Sequence, residues 1–376
     1  MIADVIIAGG GLAGLTSAIH LSKSGLKVLI IEKSAFPKHK VCGEYLSREV
    51  LPYLEWLGID LLAQKPALIS RVQISTPGGK SIETLLPLGG IGISRFSLDH
   101  LLLEKALSQG CLLLQDTVLG IKQQDAGFEV STVANGTFYA RNALGAFGKR
   151  SNLDVELNRS FRNMASGWLG VKCHYKADFP DDLVAVHHFK GGYCGVSQVE
   201  NGVVNICYLA TYADFKRFKN IHAFQENVLN LNPHLNRILR SCEPLFDEPL
   251  SIGQVSFAGK EKVESGILML GDAAGLIHPF CGNGMAIAIH TAKIASELIS
   301  EQFHSGLTIP ELNRRYIRLW DQNFSARIRI SKIWASVIRH ELASDLLLLS
   351  LTRLPFILPQ LIKQTHGRLM SIPSAC

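Results

Sequence analysis

The chain has no CxxC pair, no uncharged stretch of membrane-spanning length, no internal repeat and no low-complexity segment. Each absence removes a class of protein. The eight cysteines stand apart, at 42, 111, 173, 194, 207, 242, 281 and 376. That spread argues against a zinc cage and reads as the reduced, buried thiols of a cytoplasmic protein. The C-terminal runs Leu346 to Leu349 and Leu354 to Ile362 are strongly apolar, but Asp345, Arg353, Pro355 and Pro359 interrupt them. No run reaches the ~20 apolar residues a spanning helix requires. A packed terminal helix pair is the expectation, with a lipid-touching, monotopic element as the alternative. Nothing resembles a signal peptide, because Met1-Ile2 leads straight into a strand. Lys and Arg form no stripe interleaved with aromatics, which argues against nucleic acid as a partner. The net charge of +6 is modest and suits anionic cofactors or an anionic membrane face.

What is present is a core. Of 376 residues, 47% are hydrophobic and 19% charged, a balance that fits a folded chain long enough for two interleaved domains. The first thirty-two residues order themselves as strand, glycine turn, helix, strand and acid. Ala3 to Ala8 is a short apolar run suited to a buried parallel strand. Gly9, Gly11 and Gly14 then satisfy GxGxxG. Leu12 to Ser24 has helical spacing, Gly25 suits its C-terminal end, and Lys27 to Ile31 is a second strand ending at Glu32. Gly9 permits the tight turn, Gly11 lets backbone approach a diphosphate, and Gly14 lets helix and strand pack closely. The helix N-terminus offers free N–H groups to phosphates, and Glu32 can accept from ribose hydroxyls. This unit alone does not separate FAD from NAD.

The segment Gly266 to Pro279 is more specific. Ile267 to Leu270 reads as a buried strand that ends in Gly271-Asp272, where the carboxylate can accept from a ribityl hydroxyl. Pro279-Phe280-Cys281-Gly282-Asn283-Gly284-Met285 follows, then a helix from about Met285 to Ile299. Glycines 282 and 284 leave backbone N–H groups free at a helix start, suited to a flavin edge. With these two motifs the sequence resembles the FAD-dependent superfamily with the para-hydroxybenzoate hydroxylase fold. That group includes aromatic hydroxylases, geranylgeranyl reductases and flavin-dependent halogenases, and the resemblance covers roughly residues 1 to 300. It implies FAD as cofactor, with Asp272 on the ribityl chain and Gly282 to Met285 beside the ring.

Looser matches extend it. Lys40-Val41-Cys42-Gly43-Glu44 resembles the Lys-x-Cys-Gly element of the reductase branch, which lies near the flavin. Arg95 to Leu101 resembles the family's Arg-x-x-Leu-Asp-x-x-Leu element, which implies that Arg95 contacts the cofactor; Ser97 is the expected helix cap, with Asp99 in the first turn. One departure stands out. Phe147, in Gly145-Ala146-Phe147-Gly148, occupies the place of an Asp that in hydroxylases serves both FAD and the nicotinamide cofactor. NAD(P)H as donor is thereby in doubt, and a separate electron donor is the alternative.

Residues 161–255 change character. Trp168 to Tyr175, Val184 to Phe189, Tyr193 to Val199 and Val203 to Ala210 read as strands, with hairpin turns at Gly191-Gly192 and Glu200-Asn201-Gly202. Trp168, Lys172, His174, His188, Tyr193, Cys194 and Tyr208 are candidates to face a substrate. His187-His188 lacks an acid or third histidine at ligand spacing, so no metal is expected. From about Ile309 to Ala343 long helices carry many arginines, read as a solvated face, with an acidic partner or membrane lipids as the alternatives.

The expected fold is α/β: a discontinuous Rossmann-type FAD domain (1–160 and 256–305), an inserted antiparallel-sheet substrate domain (161–255) and C-terminal helices (306–376). The expected cofactor set is Gly9, Gly11, Leu12, Ala13, Gly14, Glu32, Lys33, Lys40, Cys42, Arg95, Asp272, Pro279, Gly282, Asn283, Gly284 and Met285. Cys42, Cys281 and Tyr193 are the catalytic candidates; Cys42 and Cys281 would tune the flavin, relay protons, pair as a disulfide, or simply pack as small hydrophobes. The expected function is flavin redox chemistry on a hydrophobic small molecule. Two routes stay open: hydride transfer to a C=C as in geranylgeranyl reductases, or flavin-peroxide oxygenation or halogenation of an aromatic or polyketide-like substrate. Two rivals are a NAD-dependent dehydrogenase, against which the Gly271-Asp272 and Pro279 to Met285 motifs argue, and a flavin-binding protein without turnover.

Overall fold

A computed structural model describes residues 2–163, 167–218, 220–339, 350 and 356–373. The apolar run Leu346 to Leu349, together with Leu354 and Cys376, lies outside the described residues.

Five parallel strands form the centre of the first sheet, in the order Ile267–Met269, Thr137–Gly145, Ile2–Ala8, Val28–Glu32 and Leu112–Gln115. Val5 pairs with Val28 and Ile7 with both Ile30 and Leu144. Ile2–Ala8, Val28–Glu32 and Ile267–Met269 carry near-continuous apolar, buried runs, as strands covered on both faces do. Val118–Gln124 and Gly127–Thr132 add an antiparallel meander at Thr137–Gly145. The first helix, Leu12–Lys23, packs against the long helix Gly284–Ser305. Gly14 makes close packing possible: a Cβ there would sit 2.0 Å from the Gly9 carbonyl oxygen. Gly9 itself has φ +111, and a Cβ on it would meet the Ala146 carbonyl oxygen at 2.5 Å. The turn is therefore held between its own helix and the end of a neighbouring strand.

Among the described residues the second sheet has nine strands. Trp168–Lys176, Val204–Thr211, Gly192–Gln198 and Leu183–Phe189 follow one another antiparallel, as the hairpin turns predicted. The sheet also draws strands from earlier in the chain: Leu183–Phe189 pairs parallel with Ala67–Ser75, which continues into Ser81–Gly92 and Tyr45–Ser47. It therefore reaches well beyond residues 161–255, and it is mixed rather than purely antiparallel. Alternation sorts its two faces. Leu169, Val171, Cys173, Val196, Ile206 and Tyr208 enter a second core with Phe224 and Leu235. Residues of opposite parity, such as Lys172, Tyr193 and Cys207, face the other way.

The C-terminal region is Ile309–Trp320 and Ala326–Arg339, joined by a wider π-helical turn at Asp321–Ser325, and then Ile357–Thr365. No helix among the described residues is long and apolar enough to cross a membrane.

Candidate functional site

One cavity of about 680 Å³ runs from the glycine turn to the C-terminal helices. Most of the residues singled out in the sequence line it: Gly11, Leu12, Ala13, Glu32, Lys33, Lys40, Cys42 and Arg95 toward one end, and Tyr193, Asp272, Pro279, Cys281, Gly282, Gly284 and Met285 along it. Gly9, Gly14 and Asn283 do not line it. The two glycines shape the turn from behind. Asn283 is buried, and its Nδ2 donates to the Thr365 carbonyl at 2.8 Å, so its side chain serves the C-terminal segment.

At the glycine turn, the first N–H groups of the Leu12–Lys23 helix have no acceptor within the helix. A Cβ on Gly11 would meet only Lys40 Nζ at 3.7 Å and Arg95 Nη2 at 3.8 Å. The space before Gly11 is thus an open cradle edged by two cations. Both are aimed by one buried acid: Asp99 accepts from Arg95 Nε at 2.7 Å, from Arg95 Nη2 at 2.8 Å and from Lys40 Nζ at 2.7 Å. Burial alone would raise the Asp99 pKa; Arg95 and Lys40 outweigh it and hold the carboxyl below its ordinary value. Asp99 therefore does more than the expected helix-end role. The helix Arg95–Ser108 is capped by Ser94, whose hydroxyl accepts from Ser97 N–H at 3.0 Å, and not by Ser97. Ser97 turns instead to Glu200, donating at 2.6 Å. Glu32 ends its strand with one oxygen accepting from Gly10 N–H at 2.8 Å and the other from Ser34 N–H and Lys38 Nζ.

The Gly271-Asp272 turn is held from behind by two buried cations that sequence reasoning missed. Arg159 donates to the carbonyls of Ala273 and Glu261 at 2.8 Å each, and pairs with Asp154 at 2.9 Å. Lys260 Nζ bridges the carbonyls of Asp272 at 2.8 Å and Lys149 at 2.9 Å. Burial lowers the Lys260 pKa to about 8, against the pull of Asp272 and Asp154. Their signal was faint, since each also donates to a backbone carbonyl more than one hundred residues away in sequence. Gly282 has φ +64 and lies against the Tyr45 ring.

Beside Cys42 sits a buried ionic cluster. Glu44 Oε1 accepts from Lys172 Nζ at 2.5 Å and from the Arg95 N–H at 2.8 Å; Oε2 meets His174 Nε2 at 2.6 Å. Burial would raise the Glu44 pKa, but His174 and Lys172 more than offset it and keep the carboxyl below its ordinary value. Glu44 adopts φ +54, and its N–H approaches Cys42 Sγ at 3.4 Å. Ligand atoms of His39, Glu44 and His174 lie within 4.8 Å of one another. The Lys172 ammonium already neutralises the one acid, so we assign no metal there. Of the substrate-facing candidates, Lys172, His174, His188 and Tyr193 lie on the cavity side of the sheet, whereas the Cys194 and Tyr208 side chains pack into the second core. Trp168 stands beside His278 at the edge. The seven described cysteines are free thiols, Cys42 and Cys281 included. Burial pushes the Cys281 thiol up to about 12 and the Tyr193 phenol well above its ordinary value.

Comparison with known proteins agrees with this geometry. The model of the FAD binding domain family matches residues 2–302. The chain is 25% identical over 344 residues to the menaquinone reductase of Mycobacterium tuberculosis, covering 84% of this chain and 81% of that one. It is 24% identical over 370 residues to digeranylgeranylglycerophospholipid reductase 2 of Methanopyrus kandleri, covering 90% and 88%. Among solved structures, the flavin-dependent brominase Bmp2 superposes with a TM-score of 0.78 at 17% identity, over 97% of this chain and 94% of that one. A geranylgeranyl bacteriochlorophyll reductase-like protein from Thermoplasma acidophilum gives 0.75 at 20% identity, over 99% and 94%. These two likenesses concern the fold. The family match takes in both the glycine turn and the Gly271-Asp272 turn at the two sides of the cavity, and the chain belongs to the FAD binding domain family as an FAD-dependent oxidoreductase.

Proposed function

We propose that this oxidoreductase is a reductase that saturates a carbon–carbon double bond in a long, apolar, isoprenoid-type substrate. The observation that carries the reading is the apolar stretch of the cavity beyond the glycine turn. Val72, Ile74 and Leu86 of the second sheet line it together with Trp334, Leu361 and Ile362 of the C-terminal helices. Each Å² of hydrocarbon buried there contributes roughly 25 cal/mol, which suits an extended chain better than a compact polar ring. The two curated relatives named above are reductases named for prenyl-bearing lipids, and the Lys-x-Cys-Gly element points the same way.

The residues present fit FAD. The free N–H groups at Leu12 and Ala13, with Lys40 and Arg95, suit its diphosphate; Glu32 suits the adenosine ribose, Asp272 the ribityl chain, and Gly282 to Met285 the ring edge. When bound and reduced, FAD supplies the hydride. The rest falls to the chain. The apolar wall orients the double bond and excludes water. Saturation also needs a proton on the second carbon, and Tyr193, Cys42 and Cys281 are cavity-wall groups that carry one. Phe147 places an apolar ring where hydroxylases carry an Asp, so the proposal includes a separate electron donor, with NAD(P)H as the alternative. The test is product analysis after anaerobic incubation of dithionite-reduced protein with a polyprenyl quinone and a prenyl ether lipid. The expected product carries two added hydrogens and forms without oxygen. A product that requires air and gains an oxygen atom would overturn the reading in favour of oxygenation.

A further inference from the structure

Nearly all of the chain's net charge sits at one end. From residue 326 onward there are seven cations, Arg327, Arg329, Lys332, Arg339, Arg353, Lys363 and Arg368, against Glu341 and Asp345 alone, in a chain of net +6. The described part of this region is three mutually packed segments: the helices Ala326–Arg339 and Ile357–Thr365, which touch each other, and the tail that follows. The tail is fastened rather than loose. Gly367 N–H donates to Glu49, Met370 N–H donates to the Glu49 carbonyl at 2.8 Å, and Arg327 lies 3.5 Å from the same carboxylate.

This module has two sides. Inward, Trp334, Leu358, Leu361 and Ile362 form wall of the apolar cavity. Outward, large apolar side chains stand in solvent: Ile333 at 59% exposure, Phe356 at 66%, Leu369 at 58% and Ile372 at 58%. Arg329, Lys332, Lys363 and Arg368 are exposed among them. Scattered exposed hydrophobes are ordinary on any surface. Four of them, interspersed with exposed cations on the elements that wall the cavity, have a physical reading: a polar surface rich in Lys and Arg with protruding Phe, Ile and Leu is the composition that settles into the interface of an anionic bilayer.

We propose that the outer face of the helices Ala326–Arg339 and Ile357–Thr365, with Phe356 and the tail to Ile372, docks on an anionic lipid surface and sets the apolar cavity against it. The inference rests on the reading of a lipid-soluble substrate, for it gives that substrate a path that avoids water. Binding needs no spanning helix, consistent with the lengths found. Each cation within reach of the surface strengthens binding about fivefold, and salt weakens it.

The test uses the full-length, FAD-loaded protein and sedimentation with vesicles of equal phosphatidylglycerol and phosphatidylcholine, and of phosphatidylcholine alone. The expected result is pelleting with the anionic vesicles, lost at high salt, and at least tenfold weaker with neutral ones. Two variants separate the contributions: Arg329→Gln with Lys332→Gln, and Ile333→Ser with Phe356→Ser. All four side chains are exposed, so flavin content and melting temperature should hold while vesicle affinity falls at least tenfold in each. No pelleting with anionic vesicles, or pelleting that neither variant weakens, overturns the docking. A dimer that forms through this face and does not pellet would also overturn it, in favour of a second copy as occupant. The measurement needs no turnover. Vesicle binding without reduction of any prenyl lipid would sink the proposed reaction and leave docking intact; reduction of a detergent-dispersed lipid without vesicle binding would do the reverse.

Discussion

At the scale of single residues, the site rests on backbone exposed by glycine and on charges that point where they are held. Gly11 is the clearest case. Among the described residues beyond its chain neighbours, a Cβ there would meet within 4 Å only Lys40 Nζ and Arg95 Nη2, so a side chain would fit the apoprotein yet occupy the path of the diphosphate. Gly11→Leu should leave the fold intact, with a melting temperature near that of the wild-type apoprotein, and abolish flavin retention; a yellow, fully loaded variant would displace the cofactor from this turn. The GxGxxG spacing, Glu32 and the Gly271-Asp272 pair were legible in the sequence because their jobs are done by neighbours in the chain. Asp99, Lys172, His174, Arg159 and Lys260 were less legible, or were read wrongly, because each acts on a partner at least fifty residues away or depends on which way a strand faces.

Titration follows from the same residues. Burial takes His20, His187 and His290 from 6.5 to about 3. A histidine kept neutral in the fold takes up its proton more readily once unfolded. Its contribution is present above pH 6.5 and is lost as pH falls from there toward 3. Glu44 and Asp99, held below their ordinary values of 4.5 and 3.8, contribute in the same sense at lower pH: the stabilisation is present above those values and is lost progressively as pH falls below them. Glu49, raised by burial, works in the opposite sense and softens the fall. Urea midpoints should therefore drop between pH 7.5 and 5.5, where the unfolded histidines take up protons. An unchanged midpoint across that window would contradict the neutral, buried histidines.

At the scale of elements, loops meet at the cavity and buried cations bolt them together. Arg159 is the strongest bolt, joining the helix near Asp154 to the strand end at Ala273 and to Glu261. Arg159→Met should cost about 3–5 kcal/mol, the usual penalty for leaving a buried partner such as Asp154 unpaired. It should also weaken flavin binding, because the Gly271-Asp272 turn loses its backing. Denaturation of the apoprotein reads the first effect, and fluorescence titration with FAD reads the second. A stability loss with unaltered affinity would confine Arg159 to the fold. The element map itself was largely readable, from period and from glycine turns. The parallel pairing of Leu183–Phe189 with Ala67–Ser75 was not, since a long crossover leaves no local trace, and the π-helical turn at Asp321–Ser325 breaks a run whose spacing looks continuous.

At the scale of the whole molecule, two sheets and a basic helical end enclose one elongated cavity. Cofactor cradle and apolar wall both line it, with Glu44 of the ionic cluster, and the apolar wall is the basis for assigning a reductase with a long substrate. The wall could not be seen in the sequence, because it is assembled from Val72, Ile74 and Leu86, from Val184 and Val186, and from Trp334, Leu358, Leu361 and Ile362. The most direct measurement is an anaerobic titration of the reduced, FAD-loaded protein with a prenyl lipid, following flavin absorbance and substrate together. The account predicts that the yellow spectrum returns without oxygen, with one double bond saturated for each flavin reoxidised. Flavin that stays reduced until air is admitted, with the prenyl lipid unconsumed, would contradict it.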